Sequence, residues 1–211
     1  HIAANNFKLS SFRSIKKIQW VSEWRNYKQV TYVNKTIPFN IHFAKPARFA
    51  LRIIEKYCID NKLEFEIIGC SIANPEKEFD YYNNMISNFK FLPRNGDYDS
   101  HKNISDNAII AAHNSTFLHE AFGRGFRTAF FSIRGYYNKI NAYNFNWPKN
   151  SKDMGKFWSN IPDEKQFVKI LDFLCDVNRD EWNSILKRYK KSIMEYDYKN
   201  IKIKDVLKKE G

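Results

Sequence analysis

The chain is short of acids, cysteines, glycine motifs and long apolar runs, and each shortage excludes something. Its three cysteines, Cys58, Cys70 and Cys175, form no CxxC pair and no metal-ligand spacing. An odd, scattered set predicts reduced thiols that act as small apolar groups, in a cytoplasmic setting. No apolar stretch approaches the roughly 20 residues that cross a bilayer as a helix. No signal peptide is visible, and His1 reads as a tag remnant or a cut point. The Asn114-Ser115-Thr116 sequon would have no role in a cytosol. GxGxxG and GxxxxGK[ST] are missing, which argues against a dinucleotide dehydrogenase and a P-loop NTPase. GxSxG, HExxH and a spaced His/Cys cluster are missing too, so hydrolase and metalloenzyme readings lack support and no metal is expected. There are no internal repeats and no low-complexity tracts.

Asp and Glu number 23 against 35 Lys and Arg, a formal charge of +12. That balance suggests a polyanionic partner: nucleic acid, anionic lipid headgroups or a phosphorylated substrate. The plainer explanation is the Lys-, Asn- and Ile-rich composition of an AT-rich genome. Hydrophobic residues make up 43% of the 211, enough to build a core and to exclude disorder.

The apolar patterning alternates strands with helices five times. Strands are predicted at Lys17 to Trp24, Leu63 to Ile68, Phe89 to Leu92, Ala108 to Ala112 and Thr128 to Ile133. Helices are predicted at Ala47 to Asp60, from Pro75 to about Ser87, at Ser100 to Asp106, Phe117 to Phe122, Pro162 to Val177 and Arg179 to about Glu195, with a last short one at Ile201 to Lys209. Residues 135–160 read as a loop rich in aromatic side chains. Gly123-Arg124-Gly125 reads as a helix C-cap. The expected fold is α/β: a Rossmann-like, open, mostly parallel sheet with helices on both faces. Residues 1–15 form a lead-in or linker remnant, 16–177 the sheet domain and 178–211 C-terminal helices.

In such sheets ligands bind beyond the C-terminal ends of the strands. The most informative strand exit is His113-Asn114-Ser115-Thr116. Small hydroxyl residues there meet a helix start, where free amides and the helix dipole favour an anion such as phosphate. As plain structure, Ser115 and Thr116 would be N-cap residues. Glu120 lies four residues after Thr116, one too many for a capping box, but on the same helix face. It is either a solvated acid or a group that accepts hydrogen bonds from sugar hydroxyls. Arg94 and Arg134 follow strands, and an arginine fork suits phosphate or carboxylate. His113 reads as a hydrogen-bonded structural residue rather than a general base. Tyr136, Tyr137, Tyr143, Phe145, Trp147 and Trp158 read as loop packing or as the wall of a sugar site.

Four segments in order carry a family resemblance: KKIQWVSEW, IIAAHNSTFLHEAFGRGFRTAFF, the stretch from Trp147 to Asn160, and SIMEYDYKN. Together they resemble bacterial surface carbohydrate biosynthesis proteins, glycosyltransferases of lipopolysaccharide and capsule assembly. The resemblance covers most of residues 16–209. It implies the donor-binding C-terminal half of a GT-B glycosyltransferase, whose active site lies between two Rossmann-like domains. The expected partners are then a nucleotide sugar, a missing N-terminal acceptor domain, and a lipid-linked or glycan acceptor. By position, the resemblance implies phosphate binding at Asn114, Ser115 and Thr116 and a donor contact at Glu120. It places Arg94 in the loop near the base, and Ser22 and Arg25 in the loop nearest the sugar and its phosphate. No second acid follows Glu120 in the widespread EX7E arrangement, since Arg127, Thr128 and Ala129 stand there. That weakens a UDP- or GDP-sugar and leaves a CMP-linked acidic sugar such as Kdo, with Arg94 or Arg134 on the sugar carboxylate. The usual His-Pro dipeptide of some CMP-sugar transferases is absent.

The expected function is therefore donor binding in surface polysaccharide synthesis, with no cofactor beyond the substrate nucleotide and no catalytic base assigned. The setting is cytoplasmic, peripheral to the inner membrane. Lys187-Arg188, Lys190-Lys191 and Lys208-Lys209 would face anionic headgroups there or form ordinary solvated helix surface. The rival is a non-enzymatic nucleic-acid or polyanion binding module. It lacks an RNP-like, KH-like or helix-turn-helix signature, so no nucleic-acid partner is expected.

Overall fold

A computed structural model of the chain describes residues 4–26, 28–32 and 35–210. Six parallel strands form the main sheet. They are β1 (Lys17–Val21), β4 (Glu64–Ile68), β5 (Lys90–Leu92), β6 (Ala108–Ala112), β7 (Arg127–Phe131) and β8 (Trp158–Ser159). Between β1 and β4 a separate antiparallel hairpin pairs β2 (Gln29–Tyr32) with β3 (Lys35–Pro38). The spatial order is β5-β4-β1-β6-β7-β8. Counted along the chain, the main-sheet strands therefore run 3-2-1-4-5-6, the doubly wound order. The order reverses between β1 and β6, where Trp20 pairs with Ile67 on one side and Ala111 on the other.

Both faces of the sheet are covered, which is why β6 and β7 are buried along their whole length and β6 reads as a continuous apolar run. Helix α1 (Lys45–Asp60) packs with α6 (Glu164–Asp176) on one face; α4 (Thr116–Gly123) and α7 (Arg179–Ile193) pair on the other. Phe131 stacks on Phe167 of α6 at 3.9 Å between ring centres. Opposite, the fully buried Trp182 of α7 meets Phe122 of α4 and Phe157 edge-on. The shorter helices α2 (Pro75–Asn83), α3 (Asp99–Asn103) and α5 (Arg134–Asn138) flank the strand exits, and α8 (Ile201–Glu210) ends the described chain.

Local chemistry sets the helix ends. The carboxylate of Asp163 accepts from the amide of Gln166 at 3.1 Å, and the Asn178 side chain from that of Glu181 at 2.9 Å, so each caps its helix. Gly125, at φ +91°, ends α4 in the left-handed region. The amide of Phe126 bonds the Ala121 carbonyl and that of Gly125 the Phe122 carbonyl, as in a Schellman motif. The expected C-cap at Gly123-Arg124-Gly125 is the one observed. The lead-in is tied to the far end of the chain: Asn5 donates to Asn200 at 2.7 Å, and the Tyr196 hydroxyl donates to the Phe7 carbonyl at 2.6 Å.

The structure adds elements that the patterning did not reveal: the β2–β3 hairpin, a π-helical turn over Asn40–Ala44 leading into α1, and the two-residue β8. It also shortens expected segments: α3 stops at Asn103 rather than Asp106. β1 ends at Val21 rather than Trp24, and β7 at Phe131 rather than Ile133; α2 stops at Asn83 instead of continuing to Ser87. In these last three, buried apolar residues continue past the last backbone pairing.

Candidate functional site

At the point where the strand order reverses, a cleft of about 470 Å³ opens beyond the C-terminal ends of the strands. Ser22, Glu23 and Arg25 reach it from the exit of β1, Cys70 from β4, Arg94 from β5, Asn114, Ser115 and Thr116 from β6, and Arg134 from β7. Glu120 of α4 and His101 of α3 complete the wall. All eight residues selected from the sequence (Ser22, Arg25, Arg94, Asn114, Ser115, Thr116, Glu120 and Arg134) thus line one cavity.

Their chemistry within it differs. Ser115 is the N-cap of α4, in extended backbone, yet its side chain makes no capping hydrogen bond, and no acid sits in the first turn. The plain structural role of an N-cap is therefore not exercised. The opening amides of α4 and the exposed Thr116 border the cleft with no carboxylate of the described residues bonded to them. Asn114 donates its side-chain amide to the Tyr143 carbonyl at 2.7 Å, tying the β6 exit to the following loop.

Glu23 was not selected from the sequence, although it lies between Ser22 and Arg25. Its carboxylate accepts from the backbone amides of His113 (3.1 Å) and Asn114 (3.3 Å) and pairs with Arg134 at 3.0 Å. Arg134 follows β7 as expected and is the first residue of α5. It is only 6% exposed, with its guanidinium over the Phe43 ring at 4.6 Å and its Nε without a hydrogen-bond partner among the described residues. Its charge is largely met by Glu23. Arg25 and Arg94 are the less encumbered cations. Arg25 is exposed and donates to the Trp24 carbonyl at 2.8 Å. Arg94 donates to the Gly96 carbonyl at 3.3 Å and lies 3.7 Å from Asp97.

Ser22 is more committed. Its hydroxyl donates to the buried carboxylate of Glu78 and accepts from the Tyr82 hydroxyl at 2.8 Å. Glu78 also takes the amides of Cys70 and Ser71, both at 2.9 Å, and so holds the β4 exit loop. Burial, with the Glu78 carboxylate beside it, pushes the Cys70 thiol up to about 11, so it stays protonated near neutral pH. Burial likewise raises Cys58, to about 12, and Cys175. All three cysteines are free thiols.

Glu120 pairs with Nε2 of His101 at 3.2 Å. The Arg124 guanidinium lies 3.4 Å from His101 Nδ1. Since an arginine only donates, Nδ1 accepts and the ring proton sits on Nε2, facing Glu120. His101 also stacks on Phe7 at 4.7 Å. His113 is fully enclosed, its Nδ1 bonded to the Phe131 carbonyl, and burial with the Arg134 charge holds it far below the usual histidine range. It is a neutral structural residue, as the sequence suggested. His42 accepts from Asn138 at 2.8 Å and is lowered to about 4 by burial and by Arg134.

No three His, Cys, Asp or Glu side chains gather as a metal site among the described residues. No helix among them is long and apolar enough to cross a membrane. The side chains of Lys208 and Lys209 lie outside the described residues, whereas Lys187, Arg188, Lys190 and Lys191 are exposed on α7.

A family model described as "putative O-antigen biosynthesis protein" matches residues 2–211, nearly the whole chain. The chain belongs to this O-antigen biosynthesis family. No curated protein matches it. Family membership supports the link to surface carbohydrate read from the four sequence segments, and the doubly wound sheet is the α/β fold that they implied.

Proposed function

We propose that this O-antigen biosynthesis protein binds a nucleotide sugar in the switch-point cleft and serves as the donor-binding part of a glycosyltransferase. The observation that carries the reading is the convergence of strand-exit residues on one cleft at the β1/β6 reversal, with an uncapped helix start on its rim. In a doubly wound sheet that crevice is the usual ligand site. The donor phosphate would sit on the opening turn of α4, where backbone amides and the helix dipole favour negative charge. Ser115 and Thr116 supply hydroxyl donors, and Arg25 and Arg94 supply positive charge. Placed near the glycosyl leaving group, these donors and cations would stabilise the charge that develops on the departing nucleotide, the main catalytic contribution open to this surface. Glu120, oriented by His101, faces the same space and would accept from sugar hydroxyls.

Within this reading a CMP-linked acidic sugar is favoured over UDP- or GDP-sugars. Arg94 is the candidate for the sugar carboxylate, because the Arg134 fork is already shared with Glu23. The acceptor would be a glycan or lipid-linked glycan. An acceptor-binding domain would complete a GT-B cleft, and the exposed lysines and arginines of α7 would face anionic headgroups.

Calorimetric titration of CMP, UDP, GDP and ADP into the chain tests the reading. We expect saturable binding of one pyrimidine nucleotide, CMP foremost, weakened at least about tenfold by Ser115→Ala with Thr116→Ala. Nucleotide binding that ignores the double substitution would remove the α4 start from the site. Salt-sensitive binding of single-stranded nucleic acid without nucleotide selectivity would favour the polyanion-binding rival.

A further inference from the structure

The chain has a second, larger concavity with a different chemical character. A cavity of about 700 Å³ lies between α5, the turn at Asn141–Tyr143, the loop that follows, and Asn160 at the exit of β8. Five asparagines line it: Asn141, Asn144, Asn146, Asn150 and Asn160. Two of them build the wall. Asn160 accepts from the Phe145 amide at 2.6 Å and donates to its carbonyl at 3.0 Å, and Asn146 accepts from the Ser151 amide at 3.1 Å. Asn141 and Asn150 are exposed, and their side chains make no hydrogen bond among the described residues. Tyr136 adds a ring that is 49% exposed, with the Lys139 ammonium 4.8 Å from its centre.

The charges facing the cavity are Lys139 and Asp153, one of each sign, in a chain that carries +12 overall. A near-neutral pocket on a basic protein is poorly suited to phosphate. Primary carboxamides offer donors and acceptors side by side without charge, which matches hydroxyl groups that must both give and take hydrogen bonds. An exposed tyrosine ring supplies an apolar plate with a polar edge for the C–H face of a pyranose. The volume lies within the ordinary range of about 300–1,000 Å³ for small-molecule sites. The cavity also adjoins the switch-point cleft. Gly135 lines it and Arg134 lines the cleft, while the Asn114 side chain reaches the Tyr143 carbonyl across the boundary.

We propose that this asparagine-lined cavity binds a neutral sugar residue of a glycan. As a sugar site it stands on its own lining; its role as the subsite for the acceptor glycan rests on the donor reading above.

Saturation-transfer NMR on the full chain, with the methyl glycosides of glucose, galactose, mannose and N-acetylglucosamine as probes, tests it. Calorimetry with CMP on the same samples keeps the two sites apart. We expect at least one glycoside to bind saturably, with Kd of the order of millimolar. Asn141→Ala with Asn150→Gly, the glycine keeping the left-handed backbone at φ +65°, and separately Tyr136→Ala, should weaken that binding at least about tenfold and leave nucleotide affinity unchanged. These side chains are exposed, so thermal melts of the variants should match the parent. No saturable binding by any of the four probes, or binding that all the variants retain, overturns the proposal whether or not CMP binds. Sugar binding lost in the variants, on a chain that binds no nucleotide, keeps the sugar site and removes its acceptor role.

Discussion

At the exit of β4 the amides of Cys70 and Ser71 bond the carboxylate of Glu78, while at the exit of β6 the amides of His113 and Asn114 bond that of Glu23. The device is the same: an acid brought from elsewhere in the chain satisfies two orphan amides of a strand-exit loop. The surroundings differ. Glu78 is fully buried, and its further partner is the neutral Ser22 hydroxyl. Glu23 borders the cleft and shares its charge with Arg134. The first acid closes its loop as a fixed wall. The second sets the net charge of a space that opens onto the uncapped start of α4, so removing its charge should change ligand affinity where removing that of Glu78 should not.

The largest effect is expected from Glu78→Ala. It removes the acceptor of two half-buried amides and of the buried Ser22 hydroxyl and should cost about 3–5 kcal/mol in denaturant unfolding. Unfolding free energy within about 1 kcal/mol of the parent would mean that water substitutes for the carboxylate. Glu23→Gln should cost less, about 1–3 kcal/mol, because an acceptor oxygen remains. By unmasking Arg134 it should also raise nucleotide affinity about three- to tenfold at low salt. The matched Glu78→Gln should leave affinity unchanged, and calorimetry on the pair would erase the contrast if both moved together.

A smaller, pH-dependent effect belongs to the histidines around Arg134. His42 has an ordinary value of 6.5 when unfolded and about 4 when folded. Between those values the unfolded chain binds more protons than the folded one. The stability that the neutral ring contributes is therefore fully present above pH 6.5 and is lost as the pH falls towards 4. His113 is depressed as well and should add to the loss. Thermal melts across that window should show a shallower decline in His42→Gln than in the parent; an identical slope would relocate the effect to other groups. The smallest expected change is that of Arg94→Lys, which keeps the charge but loses the planar fork. It should weaken nucleotide-sugar binding about three- to tenfold with no change in folding, and an unchanged affinity would free Arg94 from the site.

Much of this architecture was legible because a sheet covered on both faces writes its strands as apolar runs. Ala108 to Ala112 and Ala129 to Phe131 are examples, and Asp163 and Asn178 mark helix starts where side chains do cap. The hairpin at Gln29–Pro38 and the two-residue β8 were not legible. Elements so short carry no period, and β8 exists because Phe130 and Phe131 offer it a partner edge. The strand exits were readable as places, which is why the selected residues meet in one cleft. Their partners were not. Glu23 finds the β6 exit about 90 residues along the chain, and His101 reaches Glu120 from the short helix α3. The helix that carries His101 was expected; its contact with Glu120, like that of Glu23, depends on the packing of the whole sheet and leaves no local spacing to read.

The central claim is that the start of α4 receives the phosphate of a nucleotide sugar. Amide NMR of the isotope-labelled chain during titration with CMP tests it residue by residue. The account predicts saturable shifts that are largest at Ser115, Thr116 and Phe117, with smaller ones at Arg25 and Arg94. Saturable shifts confined to the exposed basic face of α7, with the α4 amides unmoved, would contradict it.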